Sequence, residues 1–186
     1  MLLRGQTGLE LLKGREKVES VVRLNDGVLD WTMGGGFLVH GITEISGEAG
    51  AGKTQFCLSL ALMAYLEEEH GGLNSSAIYL NCGEGPFPMK RLEVLAKAFE
   101  KKYSKNGVNP APGKSANDFL NHVIIETMHN TEMMLEAFRE QIPNLIRSGR
   151  AGRGAGKDEK PERPARLLIV DSLAGLVRNR GGAHIR

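Results

Sequence analysis

The sequence predicts an α/β fold of the phosphate-loop NTPase kind, a mostly parallel sheet with helices on both faces. Three observations carry this. Residues 47–54 read Gly-Glu-Ala-Gly-Ala-Gly-Lys-Thr, a complete G-x-x-x-x-G-K-[ST] pattern. Short apolar runs at 77–80, 123–125 and 167–170 alternate with helical stretches, as buried parallel strands do. The last of these runs ends on Asp171, at the carboxyl end of a strand, where open α/β sheets place their ligands.

The remaining elements follow in order. Residues 1–20 read as a leader with a short helical stretch around Leu9 to Leu12. Val21 to Leu24 is a candidate small strand, and Leu29-Asp30-Trp31 leads into the turn Gly34-Gly35-Gly36. Gly41 to Ser46 is a β-prone run that enters the phosphate loop. After the loop, Lys53 to Glu69 lacks Gly and Pro and predicts a helix, stopped by Gly71-Gly72. The strand Ala77–Leu80 leads through a loop at 81–86 into a helix from about Met89 to Lys101. Residues 103–118, with Gly, Asn and Pro, read as an exposed loop. Asn130 is placed to cap a helix whose Met134, Phe138, Ile142 and Leu145 share a face, with Pro143 expected to kink its last turns. Residues 148–164 hold no large apolar side chain and are expected to form a disordered insertion.

At 186 residues the chain is long enough for one α/β domain and too short for two comfortable ones. A net charge of +2 is too mild to argue nucleic-acid binding by itself. Cys57 and Cys82 fit neither a disulfide framework nor a zinc spacing and read as reduced intracellular thiols. Met1-Leu2-Leu3-Arg4 lacks the apolar stretch of a signal peptide, and no run reaches membrane-spanning length, so no membrane partner is expected.

The chemistry is expected at the loop. Gly47, Glu48, Ala49, Gly50, Ala51 and Gly52 turn backbone N–H groups around a β-phosphate. Lys53 brings a positive charge to the β/γ oxygens, Thr54 offers a hydroxyl to Mg²⁺, and Gln55 extends the motif. Asp171 can hold the same cation through a water, opposite Thr54. Hydrolysis needs a group that positions the attacking water, and Glu84, just past a strand on the same sheet edge, is the candidate. A solvated loop glutamate is the alternative for Glu84. The Asn/Thr-Lys-x-Asp motif of guanine readers is absent.

Several segments resemble a family. Leu29-Asp30, Gly34 to Gly36, Gly41 to Glu48 and Gly52-Lys53-Thr54-Gln55 are similar to the core entry of RecA-type eukaryotic recombinases. His70-Gly71-Gly72-Leu73, Ala77 to Leu80 with Glu84, Phe87-Pro88, Lys90-Arg91-Leu92 and Ala165 to Leu173 resemble one paralogue branch of that family. The resemblance covers about residues 5–178 apart from two polar insertions. It implies a RecA-type core over residues 21–186 that binds ATP and Mg²⁺, with Gly47 to Gln55 on the nucleotide, Asp171 at the metal and Glu84 as catalytic glutamate. It also implies a nuclear protein of homologous recombination, repairing double-strand breaks and crosslinks. Its partners would be a sister recombinase paralogue, the main recombinase, and single-stranded or branched DNA.

Three departures qualify what carries over. The glutamate loop holds about one extra residue near Asn81, which makes slow hydrolysis the expectation. Gly5 and Gly8 stand where the family's inter-subunit linker has an aromatic residue and an alanine, so that contact is expected to be weak. The chain ends at Arg186, before a later strand of this fold, and reads as part of a longer protein truncated on its C-terminal side. Arg178-Asn179-Arg180-Gly181-Gly182 reads either as the start of a DNA-binding loop or as a solvated terminus. Two rival functions stay open: a small-molecule phosphotransferase using the same loop, and a scaffold that holds ATP without turning it over.

Overall fold

Strand β3 (Ser76–Asn81) is the middle of the sheet, and all six of its residues are buried. In the computed structural model, which describes residues 21–38, 41–83, 85–104, 107, 113–148 and 163–178, it lies between β4 (Val123–Thr127) and β5 (Ala165–Asp171). All three run parallel, with Tyr79 opposite Ile125 on one side and Ile169 on the other. A parallel strand covered on both faces must be apolar throughout, which is why Ala77 to Leu80 stood out as a continuous run. A shift of register between Ser76 and Ala77 sets Arg166 as an extra residue in β5.

Two apolar clusters sit on opposite faces of the sheet. One is built on α2 (Lys53–Met63), α3 (Met89–Lys102) and α4 (Ala116–Asn121), with Leu58, Leu62, Leu92, Phe99 and Phe119 packed on Ala77, Tyr79 and Ile169. The other joins Ile78, Leu80 and Ile124 to Ala137 and Ile142, which lie on the helical stretch 131–148. Because Leu58, Leu60, Ala61, Leu62 and Met63 are all buried, α2 is enclosed on nearly every side. Helices on both faces of a parallel sheet are the expected architecture.

Several elements differ from the sequence expectation. Helix α2 ends at Met63 rather than running to Glu69. The following chain doubles back, so that Leu73 N and Ser75 N donate to the Ala64 carbonyl and Asn74 N to that of Leu66. These tertiary hydrogen bonds take the carbonyls that a longer helix would have used, and a 3₁₀ turn (Glu68–His70) closes on Gly71 at φ 82°. Three helices were not expected, one of them α7 (Leu173–Arg178) after β5. In α1 (Gly27–Thr32), Asp26 Oδ1 accepts from Val28 N and Leu29 N. In α4, Ser115 and Asp118 form a capping box inside the stretch read as loop. The expected strand near Val21 is β1 (Val21–Val22), which pairs antiparallel with β2 (Phe37–Leu38).

The β-prone run 41–46 is not a strand. Ile42 is fully exposed, and among the described residues no strand pairs with that segment. At the other helix, the expected kink takes the form of a π-helical turn (Ala137–Gln141) between α5 (Thr131–Glu136) and α6 (Ile142–Ser148). Pro143 lacks an N–H, and its ring would strike the carbonyl four residues earlier in a straight helix, so the wider turn precedes it. Asn130 caps α5 as expected, accepting from Met133 N at 2.8 Å. The leader 1–20, most of the insertion 148–164 and Glu84 lie outside the described residues.

Candidate functional site

The phosphate loop leads into the N-terminus of α2, and β5 ends beside it. Gly52 caps α2 in the left-handed region, at φ 95°, and no side chain caps the helix. Gly50 also lies there, at φ 82°. Only glycine adopts these angles at low cost, and they let the loop turn its N–H groups inward. The first helical bond, Phe56 N to Gly52 O, spans 2.9 Å. The N–H groups before it have no carbonyl within the helix to pair with and form the positive end of its dipole.

Lys53 crosses the loop mouth, its Nζ donating to the carbonyls of Gly47 at 2.7 Å and Glu48 at 2.8 Å. Ala51 N donates to Glu48 O at 3.2 Å, so the loop is braced from within. Gly50, Gly52, Lys53, Thr54 and Gln55 line an open depression of about 260 Å³, with Arg91 from α3 on its wall.

Thr54 Oγ1 donates to Asp171 Oδ2 at 2.7 Å, joining residues 117 apart in sequence. The same carboxylate oxygen accepts from the Tyr79 hydroxyl at 2.6 Å. A threonine hydroxyl beside a carboxylate is a hard-oxygen pair, the donor type that Mg²⁺ takes from protein while keeping phosphate and water ligands. Among the described residues no group of three or more His, Cys, Asp or Glu side chains gathers to cage a metal. The Thr54 hydroxyl and Asp171 carboxylate fit a cation that takes its remaining ligands from a phosphate chain and water.

The Asp171 charge reaches further. Burial, and then the negative charge of Asp171, push the Cys57 thiol up to about 11, and the same two causes raise Cys82. Both are free thiols, and the upward shifts keep them protonated at neutral pH. Burial first, and the bond to Asp171 second, hold the Tyr79 hydroxyl far above the ordinary tyrosine range, so it remains a donor.

The structure thus brings Gly47, Glu48, Lys53, Thr54 and Asp171 together, with Gly50, Gly52 and Gln55 on the same depression. Ala49 and Ala51 sit in the exposed loop. Glu84 and the side chains from Arg178 to Gly182 fall outside the described residues. Two site residues escaped the sequence reading. Tyr79 lies two residues before Asn81, the partner of Asp171 in the β3–β5 register, so the two-residue period of the strand put it on the face of the acid. Arg91 entered only as part of the Lys90-Arg91-Leu92 resemblance, which assigned it no role.

Comparison with known proteins places the chain in a family. The DNA repair protein XRCC3 of Bos taurus is 34% identical over 181 residues, covering 93% of this chain and 47% of that protein. The XRCC3 homolog of Arabidopsis thaliana is 34% identical over 153 residues, covering 82% and 44%. The DNA repair protein rhp57 of Schizosaccharomyces pombe is 31% identical over 163 residues, covering 85% and 41%. The chain spans less than half the length of each of these relatives. A profile of the Rad51 family matches residues 17–180, the loop, the sheet and Asp171 included, and the chain belongs to the Rad51 family.

Proposed function

We propose that this chain binds ATP with Mg²⁺ at residues 47–55 and serves as a recombination mediator in homologous-recombination DNA repair. One observation carries the nucleotide reading: Thr54 meets Asp171 at 2.7 Å beside a helix N-terminus that no side chain caps. In this reading the loop amides and Lys53 take the phosphates, and Thr54 and Asp171 hold the cation. The cation, when bound, supplies charge neutralisation to the phosphoryl oxygens. Arg91, a planar cation on the depression wall, is placed to pair with a phosphate or stack on a base. Glu84 is proposed to position the attacking water.

The DNA part of the proposal is supported by family membership and by the names of the relatives, which are DNA repair proteins. It makes the chain a DNA-stimulated ATPase in a heteromeric paralogue assembly, acting with the main recombinase in the nucleus. Among the described residues no helix is long and apolar enough to cross a membrane. The same reading keeps 1–20 as leader, 21–186 as the ATPase core, and 148–164 as an insertion within it.

The test is ATP turnover with and without single-stranded DNA, beside a panel of small acceptors. Stimulation by DNA supports the proposal. Phosphorylation of an acceptor replaces it with a phosphotransferase, and tight binding without turnover replaces it with a scaffold. Glu84→Gln is expected to keep ATP binding and lose hydrolysis, and normal turnover in that variant removes Glu84 from its role.

A further inference from the structure

Tyr79 is fully buried, in the middle strand of the sheet, yet its one polar atom is spent on the carboxylate proposed to hold the cation. An ionised carboxylate only accepts, so the Tyr79 hydroxyl is the donor, at 2.6 Å to Oδ2. The ring itself is locked. Phe87, from the segment joining β3 to α3, packs edge-on against it with ring centroids 5.1 Å apart and an interplanar angle of 78°. Tyr79 also belongs to the apolar cluster built on α2.

Packing alone does not ask for that hydroxyl. Phenylalanine would fill the same volume without the cost of burying an oxygen. Thr54, the other donor to Oδ2, has a competing use, because the reading above assigns its hydroxyl to the cation. Tyr79, sealed from solvent, has none. Asp171 therefore keeps one permanent partner. We infer that Tyr79 is a positioning residue that orients the Asp171 carboxylate for the divalent cation at the phosphate loop. Hydrogen-bonded groups behind a metal ligand commonly set its orientation, and removing them costs about 10- to 100-fold in metal affinity.

The inference rests on the nucleotide reading and deepens it, and the experiment separates the two. The probe is a fluorescent ATP analogue, titrated into the wild-type chain and the Tyr79→Phe variant over a range of Mg²⁺ concentrations, and again in EDTA. The Mg²⁺ midpoint for binding is expected to rise about ten-fold in Tyr79→Phe, with binding in EDTA unchanged. Phe87→Leu, which loosens the ring packing and keeps the hydroxyl, is expected to lower thermal stability and leave the midpoint in place. If Tyr79→Phe does not fold, Tyr79→Met removes the same hydroxyl and is held to the same shift. An unmoved midpoint in a folded variant that lacks the hydroxyl overturns the positioning role alone. Absence of binding to the wild-type chain at every Mg²⁺ concentration overturns the nucleotide reading and this inference with it.

Discussion

Thr54 and Asp171 are joined by a single hydrogen bond of 2.7 Å between the first turn of α2 and the last residue of β5. It closes the sheet edge over the phosphate loop. Replacing Thr54 by Val keeps the shape and removes the donor, leaving Asp171 with Tyr79. We expect a loss of about 1 kcal/mol in urea unfolding, the usual net worth of such a bond. We also expect ATP binding that no longer strengthens when Mg²⁺ is added. Calorimetric titration with and without Mg²⁺ checks this, and a variant with full Mg²⁺ enhancement removes Thr54 from the cation site.

Lys53 and Arg91 face the same depression with unequal commitment. Lys53 is held across the loop by two carbonyls, whereas Arg91 is an exposed side chain on its wall. Lys53→Ala is expected to weaken ATP binding by more than about ten-fold, the loss of a fixed charge from a phosphate cradle. Arg91→Ala should cost about two- to five-fold, as exposed ion pairs do. Equal losses in parallel titrations would contradict this ranking.

Gly175 lies in α7 (Leu173–Arg178), where the helix touches the chain leaving β3. A methyl group there would overlap the carbonyl oxygen of Cys82. Backbone cannot retreat as a side-chain tip can. Gly175→Ala is expected to destabilise by about 1–3 kcal/mol, the usual cost of overpacking. An unchanged urea midpoint would show that α7 is not held against Cys82.

At the other end of the sheet, His122 stacks on Tyr65 with ring centroids 4.0 Å apart. Its Nδ1 donates to the Asp118 carbonyl at 2.7 Å, which fixes the tautomer. Lys114 and Arg163 sit over the same Tyr65 ring, and Glu67 pairs with Lys114 at 2.6 Å. Burial first, then the charges of Arg163 and Lys114, depress His122 below its ordinary value against the opposing pull of Asp118. The unfolded chain therefore binds this proton at a higher pH than the folded chain does. Stability is complete above the ordinary histidine value of 6.5 and falls as pH drops below it. In His122→Phe, which retains a ring on Tyr65, the difference between urea midpoints at about pH 7.5 and pH 5.5 should shrink.

Much of the site could be read from residue order. The loop pattern, the helix after it and an apolar run closing on Asp171 are local signals, each set by neighbours within a few positions. Glu67 shows where such signals stop. Nothing around it forbids a helix, yet it leaves the helical path while its carboxylate holds Lys114 from 47 residues away. Ser115 and Asp118 show the reverse, a local capping signal that was present and lay hidden in a stretch rich in loop formers. The run 41–46 has strand-like residues and no ladder to join, because a strand is completed by its neighbour and not by its composition.

Order along the chain thus determined the phosphate-loop pattern, the alternation of strands and helices, and the family, since each rests on short patterns of backbone and side-chain type. Only the folded arrangement decided that Tyr79 and Thr54 share one oxygen of Asp171, that Arg91 borders the depression, and that α2 stops at Met63. Those outcomes depend on distances between residues remote in sequence. Such distances are set by how the sheet and helices pack, which no local pattern encodes.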